Sequence, residues 1–540
     1  MPPKNTAVRV ITVEIKSKKK ILFLLALIGL IYFCALIPAN LTGAETPEML
    51  EVFEVDEYAQ YPHLMRMLSP GEGLYPTLRN FFIYLHYFYG FPFYFWSALS
   101  VLPLKLSGAQ IRTIVCTLRQ MISVLPMILS AGLLTWIFTK FRSNISSVLL
   151  FVLLLTMPAV LQNDFWWHPD SLTLLFLSLT FFFLDRDRMR CGKNFLFAAF
   201  TCGAAIGTKY LGLYFALAIP AYLLCCRIGE SISTRQLFSK AGAFLLIMTA
   251  AVIFSDPLLL LPQERAEILG IMKQQTGLSG SGIFLRYENN FLENGHLPGW
   301  LTGNYMRLPW ILLTALGLFA GIISGDNEKR TFGIVMLCYL VTGYTVNLNT
   351  AASRLHYFLP IMLPPAGCMI WLPETAPKRF RRGIFLTLYP LILIQIGLNV
   401  QTDLNLWQTQ LHREENSASI ALYKELQENY LPLSGVPTER MTRVYRDWKA
   451  YFPEQEGFAI LTDWELASFP LIEDWHPDLI ILEKENIRAY SAENIAERAI
   501  NTDKMAQTHT FYRAAAEKNI PGYEFLTENN FGIVFRKELP

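Results

Sequence analysis

Charge is scarce in this chain. Asp, Glu, Lys and Arg make up only 17% of its 540 residues, well under the roughly 25% of a soluble globular protein. That shortage argues against a wholly water-soluble chain. The net charge of +2 gives no argument for a nucleic-acid partner, and none is expected. Cysteine is absent beyond Cys368. Cys34, Cys116, Cys191, Cys202, Cys225, Cys226, Cys338 and Cys368 all lie in or beside apolar runs. Neither a disulfide framework nor a zinc pattern is indicated, and buried, inert thiols are the plain reading. No internal repeat and no low-complexity segment is visible.

Apolar surface is what the chain has in excess. Hydrophobic residues reach 52%, with 38 Phe, 24 Tyr and 11 Trp, and the mean hydropathy is +0.30. The run at 21–39, "ILFLLALIGLIYFCALIPA", follows "KSKKK". It is long enough to span a bilayer and too long for a signal peptide, so it reads as an uncleaved anchor. Further runs lie near 114–139, 146–161, 171–184, 194–208, 210–226, 241–256, 304–324, 331–347, 355–373 and 384–400. The segment 80–104 is ambiguous. It is rich in aromatics, contains His86 and is broken by Gly90 and Pro92, which suits an interfacial segment or a re-entrant pair.

Basic residues then set the orientation. Clusters stand at Lys16–Lys20, Lys140/Arg142, Arg186–Lys193, Arg227–Lys240, Lys329/Arg330 and Lys378–Arg382. If each run crosses once and 80–104 does not, every cluster falls on the cytoplasmic side. The expectation is a polytopic α-helical membrane protein of about 11 transmembrane helices plus interfacial helices. Residues 1–20 form a cytoplasmic basic N-terminus. Residues 21–400 form the transmembrane module, with outer loops 40–113, 162–170 and 257–303. Residues 401–540 form a small soluble α/β domain outside the cytoplasm. There, "FAILTD" (458–463) and "PDLIIL" (477–482) read as strands. "NSASIALYKELQENY" and "AENIAERAI" read as helices, and "YEFLTENNFGIVFRK" as a closing hairpin.

This topology collects ionisable groups on one face. Asp56 and Glu57 stand in "EVFEVDEYAQYPHLMRML", where a solvated acidic pair is the plain reading. Asp170 stands in "NDFWWHPDSLTLLF", where a helix cap is the plain reading. Lys209 sits in "IGTKYLG", and Arg354, His356 and Tyr357 in "TAASRLHYFLP". Boundary cations can snorkel, but the other boundary cations lie inside. Two outer cations facing two carboxylate sites suit an anionic headgroup. The chemistry this suggests is transfer from a lipid phosphate. Lys and Arg would stabilise charge on the leaving group, and a carboxylate would deprotonate an acceptor hydroxyl. Glycines and polar aromatics in 257–303 suggest a lid, with Arg286 and His296 the residues to test; an ordinary connecting loop is the plain alternative. The second His-Pro-Asp, at 476–478, reads as turn chemistry before a strand.

The order of motifs across residues 21–373 resembles the GT-C class of membrane glycosyltransferases. It is most similar in pattern to protein O-mannosyltransferases and lipid A aminoarabinose transferases. "DEYAQYPHLMRML" resembles the class's Asp-Glu, nearby Tyr and Arg-Met-Leu of the first outer loop. "YPTLRNFFIYLHYFYG" is similar to its Pro-Pro-Leu aromatic segment, with Thr77 in place of the second Pro. "LRQMISVLPMILSAGLLTWIFTKF", "HPDSLTLLFLSLTFFFLDR", "GAAIGTKYLGLYFAL" and "RLHYFLPIMLP" resemble, in turn, its later elements. The resemblance implies an inverting transferase that uses a polyprenyl-phosphate sugar donor and a lipid, glycan or protein acceptor. It implies Asp56 as base and Glu57 as its support or a metal ligand. It further implies Asp170 as the second acid, with Lys209, Arg354 and Tyr357 near the donor phosphate or lining the cavity. The aminoarabinose transferases carry an Arg soon after Asp-Glu and a Lys before the aromatic segment. Here those regions offer Ala59 and Tyr75, and the nearest cations are Arg66 and Arg79. A divalent metal is compatible with the set but not required by the sequence. The expected location is the outer face of a cell (inner) membrane, or the lumenal face of an ER membrane. The competing reading is a transporter or flippase of a lipid-linked sugar. That class usually places charges at mid-membrane and often carries inverted repeats.

Overall fold

The computed structural model describes residues 4–209, 212–281, 284–286, 297–348, 354–431, 440–461 and 465–538. The chain opens with α1 (Lys4–Asn40), whose apolar half is exposed to the surroundings on most sides. Four short helices follow: α2 (Pro47–Phe53), α3 (Val55–Met67), α4 (Leu74–Phe82) and α5 (Phe91–Leu106). Thr46 caps α2 by accepting the Met49 N–H, and Pro47 occupies the first turn, where no N–H is missed. On α4, Leu74, Tyr75, Leu78 and Phe82 are all exposed. An apolar helix face left bare in this way suits the plane of a membrane interface. The ambiguous segment 80–104 is therefore the end of α4, a turn at 83–90 and the larger part of α5.

The apolar body is built from α6 (Ile111–Leu118), α7 (Leu125–Thr139), α8 (Asn144–Leu155), α9 (Pro158–Asp164), α10 (Asp170–Asp187), α11 (Lys193–Thr208), α12 (Ala218–Ile228) and α13 (Thr234–Ser255). α14 (Pro262–Ser281) and α15 (Leu297–Asn304) lie in the expected lid region. α16 (Leu308–Ile322), α17 (Asn327–Leu348), α18 (Leu359–Ala366), α19 (Trp371–Thr375) and α20 (Lys378–Leu411) complete the body. Its core includes the rings of Phe181, Phe215 and Tyr339, whose centroids lie 4.8–5.0 Å apart. A π-helical turn, Arg119–Val124, joins α6 to α7. The extra residue of a π turn rotates side chains off the ordinary helical stripe.

Six helical stretches among the described residues are long and apolar enough to cross a membrane, and up to seven if the bent pair α8–α9 is one span. The sequence expectation of about 11 counts apolar runs. Several of those runs form helices shorter than a straight span, such as α11 with 16 residues and α16 with 15.

α20 runs through the expected boundary at 401 and ends at Leu411. Beyond it lies an α/β layer of α21 (Ala418–Asn429), β1 (Thr442–Arg446), β2 (Phe458–Leu461), α22 (Phe469–Trp475), β3 (Leu479–Glu483), α23 (Lys484–Tyr490), α24 (Thr502–Ala516), β4 (Tyr523–Glu528) and β5 (Gly532–Lys537). The sheet order is β2-β1-β3-β5-β4. β1 pairs parallel with β2 and β3, and β5 pairs antiparallel with β3 and β4. The expected strands and hairpin are present. The expected helix "AENIAERAI" is instead a run of turns, in which Ala499 pairs with Leu285 in an isolated bridge. Its Glu493, Glu497 and Arg498 interrupt the apolar stripe a packed helix needs. The interior strand β1, "TRVYR", escaped the sequence reading because its arginines hide the buried Val444 and Tyr445.

The two parts are bolted together by charge. Arg446, at the end of β1, is 3% exposed and pairs with the buried Glu51 of α2. Arg413, just past α20, pairs with Glu54 at 3.3 Å and donates to the Thr42 carbonyl at 2.5 Å.

Candidate active site

Two adjacent carboxylates in the first turn of α3 meet different surroundings. Glu57 is fully buried. It receives Arg119 Nε at 2.8 Å and Nη2 at 2.5 Å, the forked geometry that fits a carboxylate. Its Oε1 also accepts the Trp167 backbone N–H at 2.5 Å. Arg119 completes its shell on the carbonyls of Asn40 (2.9 Å) and Thr42 (2.8 Å). One buried ion pair thus joins the end of α1, α3, the π turn and the loop before α10. Asp56 keeps a third of its side chain exposed and meets Arg354 at 3.5 Å.

Asp170 begins α10 but does not cap it, because its side chain makes no capping hydrogen bond. Its Oδ1 accepts from Lys209 Nζ at 2.5 Å, and its Oδ2 faces His168 Nδ1 and, at 4.0 Å, His356 Nε2. Lys209 also lies over the Tyr357 ring, 4.7 Å from its centroid. Tyr89 Oη stands 2.7 Å from His168 Nε2. Burial holds His168 below the usual imidazole range, although Asp170 opposes the shift. The ring is therefore neutral at pH 7, with Nδ1–H donating to Asp170 and Nε2 accepting the Tyr89 hydroxyl. Burial, then the Asp56 and Asp170 charges, raise the Tyr89 hydroxyl well above its ordinary value and keep it a donor.

The loop carrying His168 is held at several points. Ser123 of the π turn donates to the Trp166 carbonyl at 2.6 Å, and Trp167 Nε1 donates to Ser97 at 2.8 Å. Trp166 stacks flat on His168 with centroids 4.1 Å apart. The Tyr89 side is fixed by backbone. Gly90 N–H donates to the Thr208 carbonyl at 3.0 Å, and a Cβ at Gly90 would lie 1.6 Å from the Gly207 oxygen. Only glycine permits that approach. Gly90→Ala is expected to push Tyr89 away from the Lys209 turn and lower turnover by about tenfold or more, since misplacement of about 1 Å is costly. Rate measurements beside a thermal unfolding control check it.

The structure brings Asp56, Asp170, Lys209, Arg354 and Tyr357 into one cluster. Arg66, in the last turn of α3, has a buried Nη1 with no hydrogen-bond partner among the described residues. Arg79 is exposed on α4. Neither touches the cluster among the described residues. Arg286 belongs elsewhere: its N–H donates to the Arg498 carbonyl at 2.6 Å, against the soluble domain. His296 lies outside the described residues. Tyr89, Trp166 and His168 are cluster members the sequence reading left aside. The signal was available in "WWHPD", where a His two residues before an acid sits beside two large rings.

His168, Asp170 and His356 present donor atoms within 4.8 Å of one another. A His-Asp-His set suits a transition metal. Lys209 already takes one Asp170 oxygen, and an ammonium at that distance repels a cation. The set fits a metal only with Lys209 displaced, so no chemistry is routed through one below.

No protein-family model matches the chain, and no curated protein matches it in sequence. Its structure is similar to the crystal structure of ArnT from Cupriavidus metallidurans bound to undecaprenyl phosphate. The match covers 95% of this chain and 97% of that one, at 11% identity and a TM-score of 0.51. The apo structure of that protein matches to the same degree. The archaeal oligosaccharyltransferase AglB from Archaeoglobus fulgidus, in complex with an inhibitory peptide and a dolichol-phosphate, matches 94% of this chain and 74% of its own at a TM-score of 0.48. The likeness is one of fold: over nearly its whole length the chain shares the architecture of ArnT, and its long apolar helices suit a membrane protein.

Proposed function

We propose that the protein is an inverting glycosyltransferase. It moves a sugar from a polyprenyl-phosphate donor to an acceptor hydroxyl at the outer, periplasmic or lumenal, membrane face. The observation that carries this reading is the division among the three acids. Glu57 is spent on Arg119 and Trp167, and Asp170 on Lys209 and His168. Asp56 remains reachable beside Arg354. The GT-C fold, in a neighbour whose structure holds undecaprenyl phosphate, supports the donor class. The reading keeps about 11 crossings, with short and bent helices counted as passes. It also places residues 412–538 outside the cytoplasm.

In the proposed step, the acceptor oxygen attacks the anomeric carbon. Its proton passes to Asp56. The bond from that carbon to the phosphate oxygen breaks, and the electron pair leaves with polyprenyl phosphate. Lys209 and Arg354 stabilise the charge that builds on the phosphate. Asp170 and His168 hold Lys209 in place, and Tyr357 packs against its ammonium. The acceptor is a lipid, glycan or protein hydroxyl.

Mass spectrometry of glycans and lipids from cells with and without the protein tests the reading. The loss of one sugar addition is the expected result, and unchanged glycans and lipids overturn it. In a reconstituted assay, Lys209→Met is expected to lower kcat by about 10²-fold, as removal of one preorganised donor does. A change in KM alone would move Lys209 from the reacting phosphate to the rim of the cavity.

A further inference from the structure

Opposite in chain order to the acidic helices, at the basic start of α20, lies a groove that the proposed transfer does not use. Its volume is about 600 Å³, and Leu313 of α16, Leu372 of α19 and Phe380, Ile384, Leu388 and Leu391 of α20 line it, with Arg379 at its mouth. At about 1.5 Å per residue, the α20 stripe from Arg379 to Leu391 is about 18 Å long. Half of a bilayer's hydrocarbon core is about 15 Å. The groove therefore runs from an interface to near mid-membrane. Trp310 marks its deep end, where the indole N–H donates to the Leu391 carbonyl at 3.0 Å.

The mouth is cationic and uncommitted. Lys378, Arg379 and Arg382 make no hydrogen bond or ion pair among the described residues, and Arg379 only lies over its neighbour Phe380. Arg381 donates to the Glu374 carbonyl at 3.1 Å, which leaves its charge unpaired as well. Four positive charges in five positions therefore stand where a long apolar trough opens. An apolar wall of one-leaflet length with cations at one end complements a lipid with an anionic head.

We propose that this groove binds one anionic phospholipid from the leaflet at the Lys378–Arg382 end. The phosphate meets Arg379 and its neighbours, and one acyl chain lies along Ile384, Leu388 and Leu391. The site is separate from the Asp56–Asp170 cluster and does not depend on the transfer reaction.

Gly383 makes the proposal testable. It lines the groove, and a Cβ there would meet nothing within 4 Å. Gly383→Leu adds a side chain where the Cβ has open space, toward the trough, and favours the helix. Native mass spectrometry of the purified full-length protein is run against dioleoyl phosphatidylglycerol, dioleoyl phosphatidylcholine and undecaprenyl phosphate. Wild type is expected to retain phosphatidylglycerol about tenfold better than phosphatidylcholine. Gly383→Leu should lose that retention, and Arg379→Gln should bring it toward the phosphatidylcholine level. Both should unfold thermally as wild type does. Equal retention of the two phospholipids by wild type, or full retention by Gly383→Leu, overturns the proposal. Loss of undecaprenyl phosphate retention in Gly383→Leu, with phosphatidylglycerol retention unchanged, overturns the choice of a phospholipid. Should Gly383→Leu fail to fold, the exposed Arg379→Gln variant decides the headgroup contact alone.

Discussion

Asp56→Asn is expected to reduce sugar transfer by about 10³-fold while leaving expression, membrane insertion and donor binding in place. General-base catalysis is worth roughly 10²–10⁴-fold, and an amide cannot take the acceptor's proton. The substitution is nearly isosteric and its site is partly exposed, so the fold has little to lose. Arg354 keeps an oxygen to face at 3.5 Å. The measurement is single-turnover release of polyprenyl phosphate from a labelled donor, beside equilibrium donor binding. A rate within tenfold of wild type would remove Asp56 as the base. A rate loss matched by lost donor binding would make it a donor ligand instead.

Glu57→Gln should do something different in kind. It leaves Arg119 charged, fully buried and facing a neutral amide. Removing one partner of a buried ion pair costs about 3–5 kcal/mol. The protein is expected to unfold at a clearly lower temperature in detergent, and to lose activity because α3 and the Trp167 loop shift together. The double variant Glu57→Gln/Arg119→Met removes the orphaned charge and should recover part of that stability but little activity. A Glu57→Gln protein as stable as wild type would show that the pair holds nothing up. Glu57→Gln with normal stability and no activity would give Glu57 a direct part in the chemistry.

The sequence made some of this arrangement readable and hid the rest for physical reasons. Asp56, Asp170, Lys209 and Arg354 stood out because charge is rare at apolar boundaries, and positive charge was concentrated at the other ends of the helices. Their gathering needed only the correct face, which the basic clusters suggested. The fates of Glu57 and Asp170 were not readable. Arg119 looks like an isolated cation inside an apolar run, and nothing local reveals that a π turn aims it at Glu57. Asp170 at a helix start imitates a cap, and only the packing of α11 against α10 gives it Lys209. His168 drew no role from the sequence, and the same tripeptide at residues 476–478 does serve as ordinary turn chemistry. There His476 ends α22 in the left-handed region at φ 48°, and Asp478 binds Arg440. The segment 80–104 resisted for another reason. Its aromatics serve an interface, an inner core and a ring network around Trp167 at once.

The short stretch from Glu51 to Glu57 collects arginines from four distant parts of the chain: Arg446 on Glu51, Arg413 on Glu54, Arg354 on Asp56 and Arg119 on Glu57. During synthesis these partners become available in chain order. Asp56 and its neighbours are among the first residues to leave the ribosome, but the partners that settle them arrive in sequence, and the last comes from β1. Until Arg446 emerges and β1 pairs with β3, Glu51 lacks the partner it has in the folded protein. The end of the protein that bears Asp56 is made early, and the last of its arginine partners is made late.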